Sequence, residues 1–473
     1  MKRICAISVV LAACHAFQCL SQAVGPVIWE FQTGGPVWAV PAIDSEGTIY
    51  IGAAETNQFY AINPDGTQKW KVRVRNPTQA VVGPGNRIFV GEAGVPDGKF
   101  FAFDAEGKRL WDFEANDPAV AVGADGRIYI SSSRRLFALA PDGGVLWTYT
   151  NTFRVVCLDS VLGPPIIGHD QAVYVTAGGA DRRVLAFNPN GTMRWQFNTG
   201  REAYEDGGEC GTIILGEVWG LPAMGADGTI YVGAKLATSY FSTSRPILYA
   251  INASGTTNWH LSLNGGVIES PAIGADGTIY VTTLAPPTNR LEAISSTGIW
   301  RWDAQIPGFS ARSPALAADG TILMGSTTEF VTTAMNSTNQ NVLALPGDLW
   351  APVIAPGGRV YVSSYQGTLY ALRGTADAAK TPWPMHRRDV TQSGRAPSIA
   401  TNRPALVSVR QRGGSLLEVR YTGEVARDYQ IEASSNLLDW EAISGFASVE
   451  LVVPFRDPGA SGSRSRFYRL RSP

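Results

Sequence analysis

Pro271–Val281 reads PAIGADGTIYV, and Pro222–Val232 reads PAMGADGTIYV. Eleven residues spelled almost identically twice in one chain mark a structural repeat. Further copies start at Pro41 (PAIDSEGTIYI), Ala80 (AVVGPGNRIFV), Val120 (VAVGADGRIYI), Pro165 (PIIGHDQAVYV), Pro314 (PALAADGTILM) and Pro352 (PVIAPGGRVYV), which makes eight. A second motif follows six of them: an Ala, a Gly five residues on and a Trp four beyond that, as in AINPDGTQKW at Ala61–Trp70. Its tryptophans are Trp70, Trp111, Trp147, Trp195, Trp259 and Trp302.

Each unit reads as four short strands. PAIG is the first, ADG a tight turn and TIYVG the second. After a variable loop, LYAIN is the third, PDGT a second turn, and the Trp lies on the fourth. Asp-Gly supplies the positive φ of a hairpin turn, and β-branched and aromatic residues suit a pleated surface. One such unit cannot bury both faces alone, whereas units packed face to face around an axis can, as in a β-propeller. The eighth unit ends at Thr368–Gly374 (TLYALRG) with no Trp strand after it; Val27–Gln32 (VIWEFQ), with Trp29, is the missing strand and closes the ring. The seventh unit is degenerate, since Ala334–Leu343 keeps the Ala and loses Gly and Trp. The sequence therefore predicts an all-β chain: an eight-bladed β-propeller over residues 24–374, a linker over 375–403 and a small C-terminal β-sandwich over 404–473, where segments such as YQIEASS and RFYRLR alternate.

Composition agrees. The 473 residues are 45% hydrophobic and 17% charged, with 51 Gly and 29 Pro, which fits many strands joined by turns and excludes disorder or coiled coil. A net charge of -1 without a Lys/Arg block excludes a nucleic-acid groove. MKR, the apolar Ile4–Ala13 and the small residues of Ser21-Gln22-Ala23 read as a signal peptide over residues 1–23. No other run reaches the about 20 apolar residues of a membrane span. Leu11-Ala12-Ala13-Cys14 also matches a lipobox, which would put a lipid anchor on Cys14. Either reading makes the protein exported: periplasmic, cell-envelope or secreted.

The units resemble the repeats of the pyrroloquinoline quinone (PQQ)-type propeller family over residues 27–374, with the Ala-Gly-Trp motif that docks adjacent blades. The resemblance implies that Trp29 and the six motif tryptophans are blade docks, and we expect them mostly buried. The family holds quinoprotein dehydrogenases and also non-catalytic exported scaffolds, such as the lipoprotein that assists outer-membrane barrel assembly. The dehydrogenases hold PQQ with a Ca²⁺ ion on carboxylate and amide oxygens, stacked on a Trp, and the alcohol dehydrogenases add a disulfide between adjacent cysteines. This chain has no adjacent Cys pair, and no Glu/Asn/Asp set maps onto that metal site. The expectation is a binding or assembly scaffold without a cofactor, with a PQQ/Ca-dependent oxidoreductase as the alternative. Pro382–Arg395 (PWPMHRRDVTQSGR) resembles a motif that flanks such repeats in exported bacterial proteins and reads as a linker lying on the propeller. The C-terminal segment resembles modules appended to secreted bacterial proteins.

Catalytic signatures such as GxSxG, HExxH, a P-loop or CxxC are absent, and His169, His260 and His386 are scattered. Function therefore falls to the face that carries the loops between strands two and three and the connections between blades. Glu202, Glu205, Asp206 and Glu209 form an acidic cluster there, which reads either as Ca²⁺ ligands or as a solvated loop. Trp38, Trp219 and Trp350 each precede a first strand, near the channel, where they either hold a protein or glycan partner or fill space between blades. Asp159, Tyr240 and Phe241 join them as binding-face candidates. Cys157 and Cys210, beyond the leader that holds Cys5, Cys14 and Cys19, lie in the connections flanking blade 4 and are either one disulfide or two free thiols.

Overall fold

The computed structural model describes residues 25–153, 161–178, 181–199, 216–218, 221–236, 245–263, 270–283, 289–308, 312–327, 329–334 and 340–396, together with six strands beyond. Every regular element among them is a β-strand. In blade 1 the strands are Ala42–Ile43, Ile49–Ala53, Gln58–Ile62 and Gln68–Arg73, antiparallel and in sequence order. The same order recurs over 81–114 (blade 2), 119–150, 166–198, 223–262, 272–306 and 315–344 (blade 7). Blade 5 adds Gly216–Val218 beside its second strand. Blade 8 is built from both ends of the ring: Val353–Ile354, Arg359–Ser363 and Thr368–Arg373 are completed by Val27–Gln32, antiparallel to the last of these, with Phe31 opposite Leu369. The result is an eight-bladed propeller.

The letters of the repeat acquire physical reasons. In the first turn the Asp carboxylate caps the Thr two residues on: Asp276 Oδ1 accepts from the Thr278 N–H at 3.0 Å and Asp227 Oδ1 from the Thr229 N–H at 3.0 Å. The Gly between them is left-handed, at φ 75° for Gly277 and 80° for Gly228. The Tyr of TIYV faces the Ala of strand three, which faces the Trp of strand four, as Tyr50, Ala61 and Trp70 do. With only a methyl between them, the Tyr50 and Trp70 rings meet at 5.8 Å. The equivalent aromatic contacts recur for Trp29, Trp111, Trp147, Trp195, Trp259 and Trp302 at 5.7–6.1 Å.

The other face of each indole locks the next blade. Trp29, Trp70, Trp111, Trp147, Trp195 and Trp259 lie on Gly66, Gly107, Gly143, Gly191, Gly255 and Gly298, the motif glycines of the blade that follows. A methyl at any of these glycines would sit 2.6–2.9 Å from the ring, and their φ values of 82–91° favour glycine as well. Each indole N–H donates to a carbonyl of the same turn at 2.8–3.2 Å, Trp70 to Ala105 for example. The turn that would receive Trp302 falls in 335–339, outside the described residues. The docking tryptophans are mostly buried, though none is completely enclosed. They sit on the outermost strand, where alternate residues face solvent, and a ring covered by one glycine turn keeps an edge exposed.

Residues 375–403, expected as a linker of which Pro382–Arg395 lies on the propeller, divide. The first compact unit extends to Ala396, and the second begins at Pro397. The part up to Ala396 runs inside the ring, along the first strands. In the second unit Leu416–Thr422 lies between Ala405–Gly413 and Val452–Arg456 in one sheet, and Asp428–Ser434 between Glu441–Ala447 and Phe467–Arg471 in another.

Two glycines separate backbone strain from docking. Gly228 and Gly107 have φ of 80° and 82°, but a methyl on Gly228 meets nothing within 4 Å while one on Gly107 meets the Trp70 ring at 2.8 Å. Gly228→Ala should cost only the left-handed penalty of about 1–2 kcal/mol. Gly107→Ala should cost that plus the displaced ring, and its denaturation midpoint should fall clearly below that of Gly228→Ala.

Candidate functional site at the mouth of the axial channel

In a propeller the first strand of each blade is innermost, so its free edge faces the axis and its N–H groups need partners. Here the chain itself supplies them. The N–H groups of Ile43, Val82, Val122 and Ile167, at one equivalent position in blades 1 to 4, donate to the carbonyls of Val390, Thr391, Ser393 and Gly394 at 2.7–3.1 Å. Ile273 and Leu316, the same position in blades 6 and 7, donate to Trp383 and Pro384 at 2.7 and 2.8 Å. Residues 377–396 thus wind around the axis, turning through positive φ at Arg387, Arg388, Gln392 and Gly394. Trp383, Met385, Gln392 and Ala396 are 0–1% exposed.

The polar residues of this segment shape the coil. Asp389 accepts from Thr391 Oγ1 at 2.7 Å, from the Ser393 N–H at 3.0 Å and from Ser393 Oγ at 2.6 Å. Arg387 donates through Nε to the Gln392 carbonyl at 3.0 Å and through Nη2 to the Val120 carbonyl of blade 3. Burial lowers its pKa to about 10, so it stays a cation at neutral pH. His386 is pushed down to about 3, first by burial and then by the Arg387 charge beside it. A neutral ring fits its contacts: Gln79 gives its amide N–H to Gln392 Oε1 at 2.8 Å, leaving Gln79 Oε1 to accept from His386 Nε2 at 3.2 Å. His386 Nδ1 then accepts from Ser313 Oγ at 3.4 Å.

Above His386 the channel opens as a cavity of about 90 Å³ walled by Trp38, Trp350, Arg312, Ser313 and Gln79, the lead-ins to the first strands of blades 1, 8, 7 and 2. Trp350 fills space and is fixed: its N–H donates to the Val37 carbonyl at 2.8 Å, and the Arg312 guanidinium lies 4.2 Å over its ring. Arg312 is held in turn by Asp348 at 3.6 Å. Trp38 behaves differently. It is 55% exposed and pairs at 5.4 Å with Tyr365, itself 41% exposed, from the turn between the second and third strands of blade 8. A pair of large exposed rings on a rigid mount is suited to gripping a partner surface.

Of the sequence candidates, Trp38 and Trp350 come together at this mouth, one exposed and one structural. Trp219, Asp159, Tyr240, Phe241, the acidic Glu202, Glu205, Asp206 and Glu209, and Cys14, Cys157 and Cys210 lie outside the described residues. Tyr365, Arg312, Asp348 and His386 were not singled out for the mouth by sequence. Tyr365 had a signal, an aromatic residue at the tip of the tight SYQG turn. Among the described residues no group of three or more His, Cys, Asp or Glu is placed to hold a metal ion.

His386 makes stability depend on pH. An unfolded His protonates near pH 6.5, whereas the folded one stays neutral down to about 3. Between these values the unfolded chain binds the extra proton, so stability falls as pH falls, by at most about 1.4 kcal/mol per pH unit. His386→Gln should remove that contribution, and denaturation from about pH 7 to about pH 4.5 should show a shallower acid loss than in the parent.

Comparison with known proteins agrees with this architecture. The profile of the family described as outer membrane protein assembly factor BamB matches residues 15–178, 97–206 and 180–429. No protein with a curated description matches the sequence. Among solved structures, BamB from Moraxella catarrhalis is similar at a TM-score of 0.53 and 17% identity, covering 74% of this chain and 98% of that one. The propeller of Dos1 is similar at 0.56 and 10%, covering 75% and 96%. Both share the fold. With family matches running through all eight blades and the axial segment, the chain belongs to the PQQ-type propeller family described as outer membrane protein assembly factor BamB.

Proposed function

We propose that the protein is an exported, non-catalytic scaffold of the bacterial cell envelope that docks a protein partner on its loop face, around the channel mouth. The observation that carries this reading is the exposed Trp38–Tyr365 pair on a mount fixed by the Trp350, Arg312 and Asp348 contacts. The family description, an assembly factor, points the same way. Export rests on the leader read in residues 1–23, with cleavage after Ala23 or lipidation at Cys14 delivering the chain to the envelope.

The quinoprotein alternative meets a physical obstacle. Residues 377–396 hydrogen-bond the inner edges of six blades, and the space left at the mouth is about 90 Å³. Sites that enclose a small organic molecule run to about 300–1,000 Å³. Among the described residues the axis is filled by the chain itself, which favours the scaffold reading over a quinone site, and we assign no step to a quinone. Glycan docking on the same aromatic pair is the nearest competing reading, and the test below separates it.

A photo-crosslinking residue at position 38 of the full chain, in envelopes of the native host, should capture one defined protein, while the same residue at the outer-edge position 69 should not. The double variant Trp38→Ala, Tyr365→Ala should bind that protein about 30-fold or more weakly, since a central aromatic anchor is worth about 2 kcal/mol or more. Capture of glycan alone at position 38, or stoichiometric binding of PQQ and Ca²⁺ with dye-linked oxidation, overturns the reading.

A further inference from the structure

The face that carries the mouth also carries a larger opening, a cleft of about 760 Å³ between blades 2 and 3. It exists because blade 3 turns between its second and third strands on Ser133 and Arg134 alone, whereas blade 2 has a longer loop over 92–98. Asp97, Lys99, Glu114 and Asn116 wall it from blade 2, and Arg134, Arg135 and Phe137 from blade 3. Its volume falls within the about 300–1,000 Å³ of sites that take a small organic molecule.

Main-chain groups around the cleft are paired within the chain. The Ala115 N–H donates to the Gly98 carbonyl at 3.0 Å, and the Asn151 N–H to the Arg134 carbonyl at 2.8 Å. Ser132 Oγ accepts from the Asn116 N–H at 2.8 Å and donates to the Asn116 carbonyl at 2.7 Å. The Arg134 guanidinium is clamped by the carbonyls of Asn151 at 2.7 Å and Phe153 at 2.9 Å. An extended peptide is read through its main chain and finds few partners here. Side chains are what the cleft offers. Arg135 and Glu114 are exposed and make no ion pair or side-chain hydrogen bond among the described residues. Asn116 accepts the Gly98 N–H on Oδ1 at 3.0 Å, which leaves its amide donors for a ligand. Charge selects no ion: Lys99 is held by Asp112 at 2.7 Å, and Arg134 with Arg135 balances Asp97 with Glu114. The Phe137 ring, braced by Phe113 at a centroid distance of 5.0 Å, adds an apolar surface.

We propose that this cleft binds a neutral oligosaccharide. A sugar presents a face of ring C–H groups to an aromatic side chain, and hydroxyls that both donate and accept. It therefore matches an apolar ring set among guanidinium, carboxylate and amide groups of balanced charge. Arg135 and Asn116 donate to the hydroxyls, Glu114 accepts from them, and Phe137 takes the C–H face. The inference goes beyond the scaffold reading and does not rest on it: the ring holds a glycan in the sector of blades 2 and 3, apart from the aromatic pair at the mouth.

Calorimetric titration of the full chain with maltotetraose, cellotetraose and chitotetraose tests it, with a hyaluronan tetrasaccharide as the acidic probe and tetra-alanine as the peptide probe. At least one neutral sugar should bind, about 10-fold or more tightly than the acidic sugar and the peptide. Arg135→Ala and Glu114→Ala, both at exposed positions and checked for an unchanged melt, should each weaken that binding about 10-fold or more. Trp38→Ala should bind the sugar like the parent, so failure of the mouth reading and failure of this one are read separately. Three results overturn the proposal: no binding of a neutral sugar at millimolar concentration, preference for the acidic sugar or the peptide, or sugar binding that survives both substitutions.

Discussion

An indole ring lying flat on a glycine holds this ring of blades together. Every other part of the repeat serves that contact. The Ala of strand three is small so that a Tyr or Phe and the Trp can meet across it, which fixes the indole from its own blade. The receiving glycine is left-handed, which closes its turn, and lacks a side chain, which admits the ring. One residue meets two independent demands. Its neighbour in the turn supplies the carbonyl for the indole N–H, so the dock has a direction as well as an area.

Stacking blades around an axis leaves two sets of sheet edges, and the molecule treats them in opposite ways. The inner edges converge, and one coiled segment of the same chain satisfies six of them at one repeated position. Filling the axis this way draws a His and an Arg into the interior, and each is accommodated by its own rule. The guanidinium keeps its charge on backbone carbonyls, while the imidazole gives its charge up. The outer edges diverge toward solvent and are managed by side-chain choice, mostly with Lys, Arg, Asp and Glu.

The propeller was legible in the sequence because its constraints are local and repeated eight times: Asp for the cap, Gly for the left-handed turn, Trp for the dock. The axial segment was not legible as such. Its motif reads as a linker lying on the propeller, but it holds the blades through main-chain carbonyls, which leave no side-chain pattern to place it inside the ring. The exposed rims of the docking tryptophans were not legible for a related reason, since a motif shows what a residue touches and not what covers its edge. At the mouth, Trp38 and Trp350 looked equivalent in sequence. Arg312 and Val37 decide between them, and neither lies in a motif. Tyr365 reaches Trp38 from the far end of the ring's chain, a pairing no local reading contains.

The order in which the chain is made gives the axial segment a further meaning. Residues 377–396 follow all eight blades, and the strand that completes blade 8 is among the first to be made. Ile43 waits for Val390 and Phe31 for Leu369, so the inner edges and the seam are satisfied only when nearly the whole ring has emerged. Contacts this distant in sequence slow folding, since loop closure precedes any gain from them. A half-made ring exposes strand edges and apolar faces for that whole interval, the period in which β-rich chains aggregate. The protein is thus most vulnerable until Ala396 has appeared, and its yield should depend more on chaperoning during that interval than on the stability of the finished fold.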